Sequence, residues 1–284
     1  MNKVYQIVTD RIVAMIEEAV KNGDVLPWQK PWSVNETAVN YVTQKPYRGS
    51  NRYLLMGGEW ITWNQICDEQ KKDPKVHLKK GSKSSIVVYF NFKEKKIDED
   101  ETKMIPFLRY YNVFNISDVE GLESKREIVK FEHDPIEEAE RIANSYVQRE
   151  GVSLNYVVQD RAFYRPATDE VCVPPMEKFG KLAEFYSTLF HELTHSTGHP
   201  KRLNRPMGTT FFGSEDYSKE ELVAEMGAAM LCGKCGIEGA TNNSAAYLQN
   251  WMSAIKKDVT LIVSAAGKAQ KAVDFIIGED PQEA

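Results

Sequence analysis

The chain has 284 residues, 42% of them hydrophobic and 11% aromatic, which is long for one ordinary domain and comfortable for two with packed cores. No apolar run approaches the ~18 residues of a membrane helix, and the four cysteines form no disulfide framework, so neither a membrane-spanning helix nor a disulfide-built domain is expected. The net charge of −5 is uneven: residues 1–130 hold 21 Lys and Arg against 18 Asp and Glu, and the remainder 15 against 23, which suggests different partners for the two halves.

Residues 3–22 place Val4, Ile7, Val8, Ile12, Met15, Ile16 and Val20 on one face, which predicts an amphipathic helix ended by Gly23. Its acids and the lack of a small-residue cleavage site argue against a signal peptide, so a cytoplasmic location is expected. LPWQKPWS cannot be helical throughout because of Pro27 and Pro31. KPYRGSNRYLLM has turn chemistry at Gly49–Asn51 before an apolar run, and WITWNQICDEQ reads as a helix. KKGSKSSIVVYFNFKEKK is a turn feeding the clearest strand, Ile86 to Phe92. KMIPFLRYYNVFNIS is a second strand, with KKIDEDETK as an exposed hairpin loop. The polar stretch 121–135 reads as a linker, and IEEAERIANSYVQREG as a helix. LNYVVQDRAFYRPATDEVCVPP holds two or three short strands closed by a double proline. Helices are expected at 177–199, 217–235 and 243–275. The fold class is α+β, with a front domain at 1–128 and a back domain at 129–284. Cys67 and Cys172 are isolated, and Cys232 and Cys235 form a lone C-x-x-C without the second pair of a zinc ribbon, so all four read as reduced thiols.

HELTH, residues 191–195, falls inside the helix expected at 177–199. Residues four apart share a helix face, so His191 and His195 can point two imidazoles at one ion. Glu192 sits one position round, where it can reach a water at that ion without being a ligand. That is the general-base position of a zinc peptidase. A third ligand is needed. The metzincin pattern H-E-x-x-H-x-x-G-x-x-H fits Gly198 but would put its third histidine at Lys201, and His199 comes too early. The better metal candidates are Glu221 and Glu225, four apart in YSKEELVAEMGAAML, where a lone carboxylate at 225 would be costly to bury. The favoured arrangement puts Glu221 on the metal and Glu225 on the second nitrogen of a ligand histidine, with Glu220 facing solvent. Zn2+ is the expected ion, although His and Glu ligands also accept Mn2+ or another divalent ion. Tyr217, Tyr164 and His199 are the candidates for stabilising an oxyanion. The strands around FYRPATDEVCVPP would offer an edge against which an extended peptide could pair.

In the front domain aromatic and basic residues interleave. They run from Trp28, Lys30 and Trp32 through Tyr47, Arg48, Arg52, Tyr53, Trp60 and Trp63 to Lys79, Lys80, Lys83 and Tyr89, then Arg109, Tyr110 and Tyr111. Single-stranded nucleic acid is bound by such surfaces, with bases stacked on exposed rings and Lys and Arg tracking the phosphates. The candidate DNA contacts are Trp28, Trp32, Tyr47, Arg48, Asn51, Lys80 and Lys83.

LPWQKPW, KPYRGSN, KKGSKSSIVVYF and YYNVFNISDVEGL resemble the N-terminal single-stranded-DNA-binding domain of ArdC-type antirestriction proteins. YRPATDEVCVPP, FHELTHSTGHPKRLNR and YSKEELVAEMGAAML resemble their zincin-like metallopeptidase domain. The resemblance covers nearly the whole chain in the same domain order. It implies single-strand binding by the front domain and a gluzincin-type site in which His191 and His195 are ligands and Glu192 the catalytic acid/base. The Glu221/Glu225 pair carries over together. The resemblance also implies a plasmid or other mobile-element setting, protection of incoming DNA from restriction during conjugation, and kinship with the front of plasmid primases. Asp118 stands where members of the family often carry glutamine, so no polar DNA contact carries over there.

Two functions follow as expectations. One is a zinc peptidase tethered to a single-strand DNA binder and directed at an unidentified protein substrate. The alternative is a non-catalytic strand-coating protein with a structural metal. A primase accessory is the weakest reading, since no paired carboxylates of a polymerising site stand out.

Overall fold

A computed structural model describes residues 3–22, 37–55, 57–96, 102–126, 135–206, 215–237 and 245–279. The first helix, α1 (Lys3–Asn22), forms where its apolar spacing predicts and buries Val8, Ile12 and Ile16. LPWQKPWS, with Trp28 and Trp32, lies outside the described residues. Then follow β1 (Val39–Asn40), α2 (Asn51–Leu54), β2 (Glu59–Thr62), α3 (Trp63–Lys72), β3 (His77–Leu78), β4 (Ser85–Lys96), β5 (Thr102–Asn115) and β6 (Val119–Glu120). A four-stranded sheet runs in the order β1-β2-β5-β4, and β3 pairs with β6.

The expected hairpin is present: β4 and β5 pair antiparallel from Ser85↔Val113 to Lys96↔Thr102. The tip of its loop, residues 97–101, lies outside the described residues. WITWNQICDEQ is not one helix. Trp60 and Ile61 are buried in β2, and α3 starts only after Thr62. The Thr62 hydroxyl accepts the Gln65 N–H, while the Gln65 side chain accepts the Thr62 N–H, a capping box that fixes the helix start.

Residues 127–134, most of the expected linker, lie outside the described residues. Beyond them come α4 (Pro135–Glu150), β7 (Ser153–Tyr156), β8 (Phe163–Arg165), β9 (Glu170–Val173), α5 (Leu182–Ser196), α6 (Glu215–Cys235), α7 (Ala245–Lys257) and α8 (Leu261–Ile277). The three strands form a sheet in the order β7-β9-β8, with β7 parallel and β8 antiparallel to β9. Helix α5 begins later than expected because Pro174, Pro175 and a 3-10 turn at Met176–Lys178 precede it. The helix expected at 243–275 is two helices. The Asp258 carboxylate accepts the Thr260 N–H and hydroxyl at 2.9 and 2.6 Å, a side-chain turn that breaks the run.

One hydrophobic core joins α4, α5, α6 and α8 and takes in α1. The first helix of the chain thus packs on the last two, and the Thr9 hydroxyl donates to the Val259 carbonyl exposed by the break before α8, at 2.7 Å. All four cysteines are free thiols. Burial raises the pKa of Cys232, and pushes that of Cys235 up to about 12, so neither is poised as a thiolate.

Candidate metal centre

Helix α5 presents His191 and His195 on successive turns towards α6. Their Nε2 atoms face each other at 3.1 Å. The Glu221 carboxylate closes the triangle, 3.5 Å from His191 Nε2 and 3.3 Å from His195 Nε2. These three residues bring one nitrogen or oxygen donor each to within 4.8 Å of one another. Tetrahedral coordination with bonds of about 2.0–2.1 Å spaces two nitrogens by roughly 3.3–3.4 Å, so a small relaxation of the imidazoles accommodates a divalent ion.

The far nitrogen of each ring has its own carboxylate. His191 Nδ1 lies 3.4 Å from Glu225 Oε1, and His195 Nδ1 lies 3.4 Å from Glu220 Oε1. An N–H at Nδ1 directed at a carboxylate leaves Nε2 as the lone-pair nitrogen, the tautomer a metal ligand requires. Glu220 therefore does not face solvent as expected. It lies against His195 and is held by Arg205, whose guanidinium donates to it at 2.7 and 3.2 Å. Arg205 also donates to the Thr194 carbonyl and the Thr197 hydroxyl, at 2.8 and 2.6 Å, so one buried cation ties the end of α5 to α6.

The electrostatics call for positive charge at this point. Burial alone would lower both histidine pKa values. Hydrogen bonds donated by the imidazoles to the carboxylates override it, raising His195 to about 9 and His191 well above its usual value. Burial works against ionised Glu221 too, yet the two imidazoles hold its carboxyl well below the ordinary range. Four acids, Glu192, Glu220, Glu221 and Glu225, surround two imidazoles and one guanidinium, and Glu225 Oε2 is buried without a hydrogen-bond partner. This donor set fits a divalent cation.

Glu192 is 7% exposed. Burial raises its pKa, and the carboxylate takes a backbone hydrogen bond from Tyr164 in the edge strand β8. The Tyr164 hydroxyl donates to Asp169 at 2.9 Å and accepts from Arg202 at 3.3 Å, so it is committed away from a substrate role. Arg202 is paired to the Asp169 carboxylate and donates from Nε to the Ser196 carbonyl at 2.8 Å. His199 accepts the Lys201 N–H on Nδ1 at 3.2 Å. Tyr217 lies in the first turn of α6, and its side chain is outside the described residues.

The front residues separate into three groups. Trp28 and Trp32 are outside the described residues. Tyr47, Arg48 and Asn51 are engaged within the protein: the Tyr47 ring packs on the Trp60 cluster, Arg48 pairs with Asp274 of α8, and Asn51 exchanges two hydrogen bonds with the Val88 backbone at 2.7 and 2.8 Å. Lys80 and Lys83 are exposed in the turn before β4. On the hairpin, Tyr89, Arg109 and Tyr111 are exposed on one face, with Arg109 over the Phe107 ring at 5.6 Å.

Residues 2–114 match the N-terminal domain of anti-restriction factor ArdC, and residues 140–268 match the zincin-like metallopeptidase family. Two Escherichia coli proteins named DNA primase TraC are 30% identical over 98% and 96% of the chain, which spans 20% and 27% of their length. An uncharacterised protein of Sinorhizobium fredii, y4eC, is 31% identical, with 96% of this chain and 91% of that protein covered. Crystal structures of the antirestriction protein ArdC from plasmid R388, metal-free and Mn(II)-bound, superpose with a TM-score of 0.72 at 34% and 33% identity, covering 96% of each chain. Fold, domain order and relatives agree: the chain belongs to the ArdC antirestriction family and carries a zincin-like metallopeptidase domain.

Proposed function

We propose that the C-terminal part is a metal-dependent peptidase acting on a protein substrate, joined to a front part that binds single-stranded DNA and so directs it during protection of incoming DNA. The observation that carries the peptidase reading is the convergence of His191 Nε2, His195 Nε2 and Glu221 on one point. Among the described residues that group has three members, the number of protein ligands that catalytic rather than structural zinc sites supply. This favours catalysis over strand coating with a structural metal.

His191, His195 and Glu221 would hold the ion, and Glu225 and Glu220 would orient the two imidazoles through Nδ1. When bound, Zn2+, or Mn2+ as in the R388 relative, supplies Lewis-acid polarisation of the scissile carbonyl and a lowered pKa for water. Glu192 accepts the proton of the attacking water on its carboxylate and passes it to the leaving amine. Its burial places its pKa above that of an ordinary carboxylate, nearer to neutral pH. Edge strand β8 lies beside Glu192 and would pair with an extended peptide. Tyr217 and His199 remain the candidates for oxyanion stabilisation, since the Tyr164 hydroxyl is spent on Asp169 and Arg202.

The strand-binding surface is assigned to Lys80, Lys83, Tyr89, Arg109 and Tyr111, because Tyr47, Arg48 and Asn51 are engaged elsewhere. The test is Glu192→Gln. Loss of a general base lowers turnover on the order of 10²–10⁴-fold, while metal content and binding to single-stranded oligonucleotides stay at wild-type levels. Full cleavage by this variant would refute the peptidase mechanism. Undiminished restriction protection without cleavage would favour strand coating.

A further inference from the structure

Successive residues of β4 and β5 point to opposite faces of the hairpin. One face carries Tyr89, Arg109 and Tyr111. The other carries Val88, Phe90 and Leu108 and fronts α8 across a groove of about 770 Å³. The floor is apolar: those three residues line it together with Val263 of α8, and Phe90 is 48% exposed.

Charge sits on the α8 wall. Lys268 and Lys271, one helical turn apart, are exposed and form no ion pair among the described residues. Among the described residues one carboxylate reaches the groove, Asp274, and Arg48 pairs with it at the groove's end. Gln270 ties that end across the two parts of the chain, donating to Asp274 Oδ1 at 3.0 Å and accepting the Gly49 N–H at 3.4 Å. Among the described residues the charge left unanswered is that of the two lysines.

We propose that this groove takes a segment of single-stranded nucleic acid, with bases against Phe90 and the apolar floor and phosphates against Lys268 and Lys271. The proposal rests on the strand-binding reading above and extends it, because α8 packs in the core of the zincin-like part. A strand held there crosses between the two parts rather than lying on the front part alone. An exposed ring beside regularly spaced cations is the arrangement that holds a strand. An apolar peptide would use the floor but leave both lysines without a counter-charge.

Gly267 provides a clean probe. It stands on the groove wall, and a Cβ built there meets nothing within 4 Å, so a side chain added at this position projects into the groove. The experiment is fluorescence anisotropy of a labelled oligothymidylate against the full chain at several salt concentrations. It compares wild type, Lys268→Ala with Lys271→Ala, Gly267→Leu, and Tyr89→Ala with Arg109→Ala. The double lysine variant should bind roughly ten-fold more weakly at low salt. Its plot of log K against log salt should be shallower by about 1.4, since each single-strand phosphate contact contributes about 0.7. Gly267→Leu should weaken binding with no fall in Tm and unchanged metal content. Wild-type affinity and slope in both groove variants, with loss only in Tyr89→Ala with Arg109→Ala, would overturn the groove while leaving strand binding by the hairpin intact. No binding by the wild-type chain would overturn both. An apolar peptide displaced by Gly267→Leu, with oligonucleotide binding unaffected, would assign the groove to a peptide instead and overturn the proposal.

Discussion

Thr194 of α5 and Gly227 of α6 touch: a Cβ at Gly227 would stand 2.6 Å from Thr194 Cγ2 and 2.7 Å from its Oγ1. The absent side chain lets the two helices approach closely enough for Glu220, Glu221 and Glu225 to reach the imidazoles. Thr194 cannot turn away cheaply, since its hydroxyl donates to the Phe190 carbonyl at 2.7 Å. Gly227→Ala gains helix propensity of up to about 1 kcal/mol but is overpacked by about 1–3 kcal/mol, so the clash wins. Metal affinity should fall with stability, and Thr194→Ala in the same chain should restore part of both. Calorimetry and metal titration of the double-mutant cycle measure the coupling.

The two acids of α6 facing His191 have separable parts. Glu221→Gln removes a ligand and should leave the protein without stoichiometric metal after dialysis. Glu225→Gln keeps the ligands and loses only the carboxylate on His191 Nδ1, so affinity should drop about 10–100-fold with stoichiometric loading retained at excess ion. Metal content and titration calorimetry would show the opposite order if Glu225 were the ligand.

Arg205 is a buried cation with several partners. Arg205→Ala breaks the buried pair with Glu220 and removes one donor from the Thr194 carbonyl, which keeps the Thr197 hydroxyl, so it should destabilise by about 3–5 kcal/mol. Lysine cannot reproduce the fork, so Arg205→Lys should recover only part. Chemical denaturation of the three proteins checks the order.

Asp169 gives the fold an acid-sensitive joint. Burial would raise its pKa, but hydrogen bonds from Arg202 and Tyr164 hold it below the ordinary carboxylate value. A depressed folded-state pKa means that this stabilisation is present above about pH 4 and is lost as pH falls through the folded value. Asp169→Asn should lower stability at neutral pH and make the acid limb of the pH–stability curve flatter. Identical limbs in the two proteins would show that the pair carries no linkage.

Long, strongly periodic segments were legible. The spacing in α1 and the alternation in β4 and β5 locate these elements because one helix stripe and one strand pleat leave direct traces in sequence. His191 and His195 were legible through their four-residue spacing. Glu220 was not. Helix α6 buries Leu222, Val223, Ala224 and Met226 in succession, so no apolar stripe tells which of its acids point inwards. Arg202 and Arg205 did carry a signal in RLNR: basic residues just past a helix C-terminus find its free carbonyls. The break between α7 and α8 rests on one aspartate side chain, too local for a periodicity argument to detect.

Anomalous diffraction from a zinc-loaded crystal of the full chain tests the central claim most directly. The account predicts one peak bonded at about 2.0–2.1 Å to His191 Nε2, His195 Nε2 and a Glu221 oxygen, with the remaining position facing Glu192 and filled by no protein atom. A peak closed by a fourth protein ligand, or lying away from these residues, would contradict it.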